Sequence, residues 1–114
     1  SIVMLGKWAF VGSGSRLITA SDDFTGRFGP IGPAGKNRMD RGDITFEEFA
    51  GVAVGCTVLP GVVLPEGCCI AAHGLVSSSK GLEPWGCYVC APGKEPRLLY
   101  MRDAEAVKRL GEEW

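Results

Sequence analysis

The chain has 114 residues, with 12 basic and 13 acidic side chains and a formal net charge of −1. That length suits one domain with a modest core. The even charge balance, with no polybasic run, argues against a charge-driven binder of nucleic acid or of anionic lipid. No apolar segment reaches the roughly 18–20 residues that a membrane-spanning helix needs, so no membrane partner is expected. The opening stretch SIVMLGKWAF lacks a charged region followed by a long apolar one, so no signal peptide is expected either. Five cysteines, an odd number without such a signal, point to free thiols in a reducing cytoplasm. Seventeen glycines call for many tight turns.

From the N-terminus, Leu5, Val11 and Leu17 recur every six residues, with Ala9, Ser15 and Ser21 at a second, small position of the same period. Residues 22–43, DDFTGRFGPIGPAGKNRMDRGD, break the period. They are rich in Gly, Pro and charge and suit a protruding loop, functional or simply a surface insertion. The period then returns. Phe46, Val52, Val58, Leu64, Ile70 and Val76 hold the bulky position, and Ala50, Cys56, Val62, Cys68 and Gly74 the small one. A helix would repeat its apolar residues at three and four, and LPGVVLPEG would break it at each proline. Plain strand alternation fails because Gly and Pro recur within the hexads. One short flat side and one corner per hexad give a triangular parallel β-helix, with three hexads to a coil and the bulky residues stacked inside. The coils fall at about 5–22, 46–63 and 64–81. Beyond them, RDAEAVKRLGEEW predicts a short helix with Asp103 as N-cap, Val107 and Leu110 on one face and Gly111 at its end. This segment, within residues 98–114, is expected to cap the open end of the β-helix.

These repeats resemble the hexapeptide-repeat acyltransferases. VGCTVLPGVVLPEGCCIAAHGLV looks like the last two coils of that family, LEPWGCYVCAPGKEPRLL like its exit segment, and LITASDDFTG is similar to a subgroup that O-acetylates sugars in surface-polysaccharide synthesis. The resemblance covers residues 2–100. It implies an all-β, left-handed parallel β-helix, a homotrimer, acetyl-CoA as co-substrate in a groove between subunits, a sugar or similar small hydroxyl acceptor near the loop, and no metal. It also implies further coils ahead of Ser1. Without them, Ile2, Val3, Trp8 and Phe10 are the residues at hand to cover the first layer.

The same resemblance suggests site residues. Many members carry a base histidine where this chain has Ser21, Asp22 and Asp23. Asp22 or Asp23 serves as a base only with a raised pKa. Adjacent residues of an extended segment point to opposite sides, so one aspartate capping a turn is the competing reading. Val54 and Ala72 match the ledge along pantetheine. Ser77, Ser78 and Lys80 match a Ser/Thr–Lys element near the nucleotide end, and Lys94 and Arg97 match basic exit positions suited to phosphate. Ordinary solvated surface competes for each of these. His73, the single histidine, falls outside the usual catalytic place and reads as exposed. Cys87 and Cys90 form a CxxC, and Cys68 and Cys69 are adjacent. Cys56 and Cys68 share an inward phase while Cys69 points the other way, so buried small hydrophobes are favoured over a zinc or redox site. The tripeptide Arg41–Gly42–Asp43 is too short to weigh. A non-catalytic β-helix for ligand binding or assembly is the alternative function.

Overall fold

The computed structural model describes residues 2–22 and 39–113. Thirteen short strands and one helix follow in order: β1 (Val3–Leu5), β2 (Phe10–Val11), β3 (Arg16–Leu17), β4 (Ala20–Asp22), β5 (Met39–Arg41), β6 (Ile44–Phe46), β7 (Gly51–Val52), β8 (Thr57–Val58), β9 (Val63–Leu64), β10 (Cys69–Ile70), β11 (Leu75–Val76), β12 (Gly86–Val89), β13 (Arg97–Met101) and α1 (Ala104–Glu113). The architecture is mostly β, with parallel sheets and one short C-terminal helix.

The six-residue period is spent on rotation through three sheets. One sheet runs β1-β6-β9, the second β13-β12-β10-β7-β2 and the third β11-β8-β3. Successive hexads visit the three in turn, so from β6 onward each strand lies beside the strand 18 residues later, whereas β1, β2 and β3 lie beside strands 41 residues later because the excursion intervenes. Phe46 thus pairs with Leu64, Val52 with Ile70, and Val58 with Val76. All pairs within these three sheets are parallel except β12 with β13. Backbone bonds tie coil to coil, as in Glu47 N to Leu64 O (3.0 Å), Ala53 N to Ile70 O (2.9 Å) and Leu59 N to Val76 O (2.9 Å).

The bulky phase forms the core. Phe46, Val52, Val58 and Leu64 are wholly buried, Ile70 is 1% exposed and Val76 2%. The small phase, Ala50, Cys56, Val62 and Cys68, is wholly buried beside them. The first block keeps the register, with Leu5 on Phe46, Val11 on Val52 and Leu17 on Val58. It does not share the burial. Leu5 is 52% and Val11 38% exposed, because this outermost layer has a stacked neighbour on one side only. Ile2, Val3, Trp8 and Phe10 are themselves exposed and do not close it.

The excursion leaves through β4 and returns through β5. These pair antiparallel, Ala20 with Arg41 and Asp22 with Met39. Residues 23–38 of the expected loop lie outside the described residues.

The left-handed backbone of non-glycine corners is a feature that the hexad pattern did not announce. Trp8, Phe49, His73 and Trp85 hold positive φ of 61–67°, a conformation that costs a side-chain-bearing residue about 1–2 kcal/mol. At His73 and Trp85 the ring lies over a glycine of the preceding coil, which offsets that cost. A Cβ on Gly67 would stand 2.2 Å from Trp85 Cδ2, and one on Gly55 would stand 2.5 Å from His73 Nδ1. Arg102 locks the first of these corners by donating from Nη1 to Phe49 O (2.9 Å) and Gly67 O (2.8 Å).

Helix α1 begins as expected, with Asp103 Oδ1 accepting from Ala106 N at 3.0 Å. It does not end at Gly111 but runs on to Glu113. The reason is packing. Gly111 sits against Phe49 and Trp8, where a Cβ would come within 3.2 Å of both rings. The helix therefore lies along the aromatic corner at the side of the coils, and Lys108 reaches Glu66 at 3.7 Å.

Candidate functional site

Among the described residues, only the second sheet continues past the last full coil. There β12 stacks on β10, and the chain then reverses into antiparallel β13. The segment after β11 swings outward over the top of the first sheet, where Ser79 Oγ accepts from Val63 N at 2.7 Å. Tyr88 points inward, 4% exposed, and its hydroxyl accepts from Glu83 N at 3.0 Å.

Between the outward segment and the turn before β13 lies a groove of about 580 Å³. Ser77, Ser78 and Lys80 form one wall and Lys94 the other, with Val76 and Cys90 also lining it. The first wall has internal order, since Lys80 N donates to Ser78 Oγ at 3.2 Å. Two ammonium groups and two hydroxyls facing one groove suit an anionic, oxygen-rich ligand. Glu95, also on the groove, supplies the opposing charge. Burial pushes the Cys90 thiol up, and Cys56 adds to that. Cys90 is thus held as a neutral thiol and is no nucleophile near neutral pH.

The structure brings together four of the seven residues expected to hold a donor. Ser77, Ser78, Lys80 and Lys94 share the groove, whereas Val54, Ala72 and Arg97 are not among its lining residues. Arg97 opens β13, one residue past Pro96 of the groove. Val54 and Ala72 are exposed at the corner that His73 occupies, with His73 N donating to Val54 O at 2.9 Å. Of the candidate bases, Asp22 is the last residue of β4, and Asp23 lies outside the described residues. The groove also uses Gly81, Gly93 and Glu95, which the sequence reading did not single out. The run APGKEP carried the only signal for Gly93 and Glu95, a Pro- and Gly-marked turn.

Cys56 and Cys68 are buried on the inward phase, Cys69 is half-buried on the outer face, and all five thiols are free. The Cys87–Cys90 motif lies along β12 and past its end, with no helix opening there. Among the described residues, no three His, Cys, Asp or Glu side chains cluster as metal ligands.

No protein-family model and no curated protein matches the chain. Solved structures do. AntD, an N-acyltransferase from Bacillus cereus in complex with dTDP and 3-hydroxybutyryl-CoA, superposes with a TM-score of 0.78 and 25% identity, over 97% of this chain and 57% of its own. A hexapeptide-repeat acetyltransferase from Vibrio cholerae, complexed with acetyl-CoA, gives 0.66 at 18% identity over 88% of this chain and 53% of its own. A maltose O-acetyltransferase from Clostridium difficile gives 0.53 at 12% identity over 90% and 67%. The chain therefore spans little more than half the length of AntD. With its three-sheet rotation and stacked hexads, the chain has the fold of the hexapeptide-repeat acyltransferases, the family that its repeats resemble.

Proposed function

We propose that this chain is an acyl-CoA-dependent acyltransferase whose acceptor is a sugar or similar small hydroxyl compound, with acetyl as the group moved. The observation that carries the reading is the groove, where Ser77, Ser78, Lys80 and Lys94 converge after the last coil. These residues suit the polyanionic end of CoA. The described neighbours are in keeping with it: AntD was crystallised with CoA and dTDP-4-amino-4,6-dideoxyglucose, and the Vibrio enzyme with acetyl-CoA.

In the proposed reaction the acceptor oxygen attacks the thioester carbonyl. A C–O bond forms, the C–S bond breaks and CoA leaves as the thiol, carrying the proton that the acceptor loses. Such a transfer asks of the protein a proton acceptor and a positioned donor. Asp22 or Asp23 is the proposed proton acceptor, at the point where the chain enters its excursion. Val54 and Ala72 are proposed to border the pantetheine arm, and Arg97 to meet phosphate from the start of β13. The proposal extends to a closed left-handed β-helix, assembled as a homotrimer in the cytoplasm.

Thiol release from acetyl-CoA, measured against parallel panels of hydroxyl and amino sugars, tests the reading. Turnover with hydroxyl sugars supports it. Turnover with amino sugars alone moves the acceptor atom to nitrogen, as in AntD, an N-acyltransferase. CoA binding without turnover on either panel favours the alternative of a non-catalytic binding module. The lack of a histidine at Ser21–Asp23, where many acyltransferases of this family keep one, speaks for that alternative.

A further inference from the structure

We propose that Cys69 and Cys87 are a redox pair that closes a disulfide between neighbouring coils. The two residues are direct partners across the parallel β10–β12 pair. The residues that follow them, Ile70 and Tyr88, point into the core at 1% and 4% exposure. Both cysteines therefore project from the outer face of the same sheet, side by side. Neighbouring strands run about 4.7–4.9 Å apart, inside the roughly 4.4–6.8 Å between Cα atoms that a disulfide spans.

The other thiols are placed differently. Cys56 and Cys68 are wholly buried in the interior, and Cys90 is 6% exposed beside the groove. Cys69 is half-buried and is the thiol that solvent reaches. Cys87, 7% exposed, stands next to it. Burial pushes the Cys69 thiol up, while the Arg102 guanidinium works against that and favours its thiolate. Across the other edge of β12, Tyr100 pairs with Cys87 in the antiparallel register with β13.

The division of roles follows from reach. The Cys69 thiolate attacks one sulfur of an external low-molecular-weight disulfide, RS–SR. The S–S bond breaks, one RS⁻ leaves and takes up a proton, and Cys69 carries the mixed disulfide. The Cys87 thiolate then attacks Cys69 Sγ and displaces the second RSH. Two protein thiols lose two electrons and two protons, and one RS–SR becomes two RSH. The new bond closes a ring of chain from 69 to 87, which contains Ser77, Ser78 and Lys80. Oxidation would thus tether the wall of the groove that these three residues form.

The experiment uses the full reduced chain, incubated with oxidised glutathione at about pH 8.5, near the ordinary cysteine pKa. It is read by intact mass and by peptide mapping after alkylation. The expected product is lighter by about 2 Da, the two hydrogens lost in forming one disulfide. It carries a Cys69–Cys87 linked peptide, has alkylated Cys56, Cys68 and Cys90, and reverts with a dithiol reductant. Cys87→Ala should stop at one glutathione on Cys69. Cys69→Ser, at the half-exposed position, should neither retain glutathione nor lose mass. Three results would overturn the proposal: a parent chain that keeps glutathione on Cys69, one that links a different pair, or one that does not react.

Discussion

Replacing Gly67 by alanine should cost far more than the same change at Gly14, although both glycines have φ of +70°. The shared backbone term is the left-handed conformation, about 1–2 kcal/mol for a residue with a Cβ. At Gly14 nothing lies within 4 Å of the added atom, so that term stands alone. At Gly67 the Cβ would lie 2.2 Å from Trp85 Cδ2 and 2.3 Å from Cε3, and the indole must move. That ring lies 5.7 Å from Phe49, with Arg102 at 5.5 Å and Lys108 at 5.4 Å from its centroid, and its Nε1 donates to Glu66 Oε2 at 3.2 Å. An aromatic pair is worth about 0.5–1.5 kcal/mol and each exposed cation–π contact about 0.5–1 kcal/mol. Adding these to the backbone term gives about 2.5–5.5 kcal/mol for Gly67→Ala, against about 1–2 kcal/mol for Gly14→Ala. Urea denaturation of both variants reads the difference as a shift in midpoint at constant slope. Equal losses at the two positions would refute the view that stacking over the preceding coil's glycine offsets the strain of these corners.

In the groove, Lys80→Ala and Lys94→Ala should each weaken CoA binding about tenfold in calorimetry, the low end of about 1.5–3 kcal/mol per charged hydrogen bond because both ammonium groups are exposed. The loss should shrink at high salt, and unchanged affinity in both variants would remove the groove as the donor site. Ala72→Trp should leave the fold intact and block CoA if the pantetheine arm runs along the Val54–Ala72 corner. CoA affinity equal to that of the parent chain would confine the donor to the groove. Alkaline pH should destabilise the fold, because burial pushes the Cys68 thiol from 9.0 up to about 12. Above pH 9.0 the unfolded chain gives up this proton while the folded chain keeps it, so stability falls between pH 9.0 and about 12. The Cys69 and Cys90 thiols, also raised by burial, add to the slope. Cys68→Ala should flatten that fall in denaturation midpoints measured along the pH series.

The hexad phase was legible because it is a local demand repeated in every coil. One bulky side chain must fill the interior and one small residue must fit beside it, so Phe46 through Val76 show the pattern without reference to any neighbour. The N-cap at Asp103 was legible for the same reason, being a contact within one turn of chain. The same reading gave Leu5 and Val11 their phase but not their exposure, since burial depends on whether another layer stacks beyond them. His73 and Trp85 at positive φ ran against local preference, and only the glycines one coil away, Gly55 and Gly67, make those corners possible. Gly111 looked like a helix stop and is instead the point where α1 touches Trp8 and Phe49, residues far off in sequence. The groove belongs with these. Lys80 and Lys94 line one groove because the chain leaves the coil after Val76, stacks once more as β12 and reverses into β13. A repeating pattern states which side of each strand faces inward. It carries no term for where the repeat stops or how the departing segments fold back, and tertiary packing decides both.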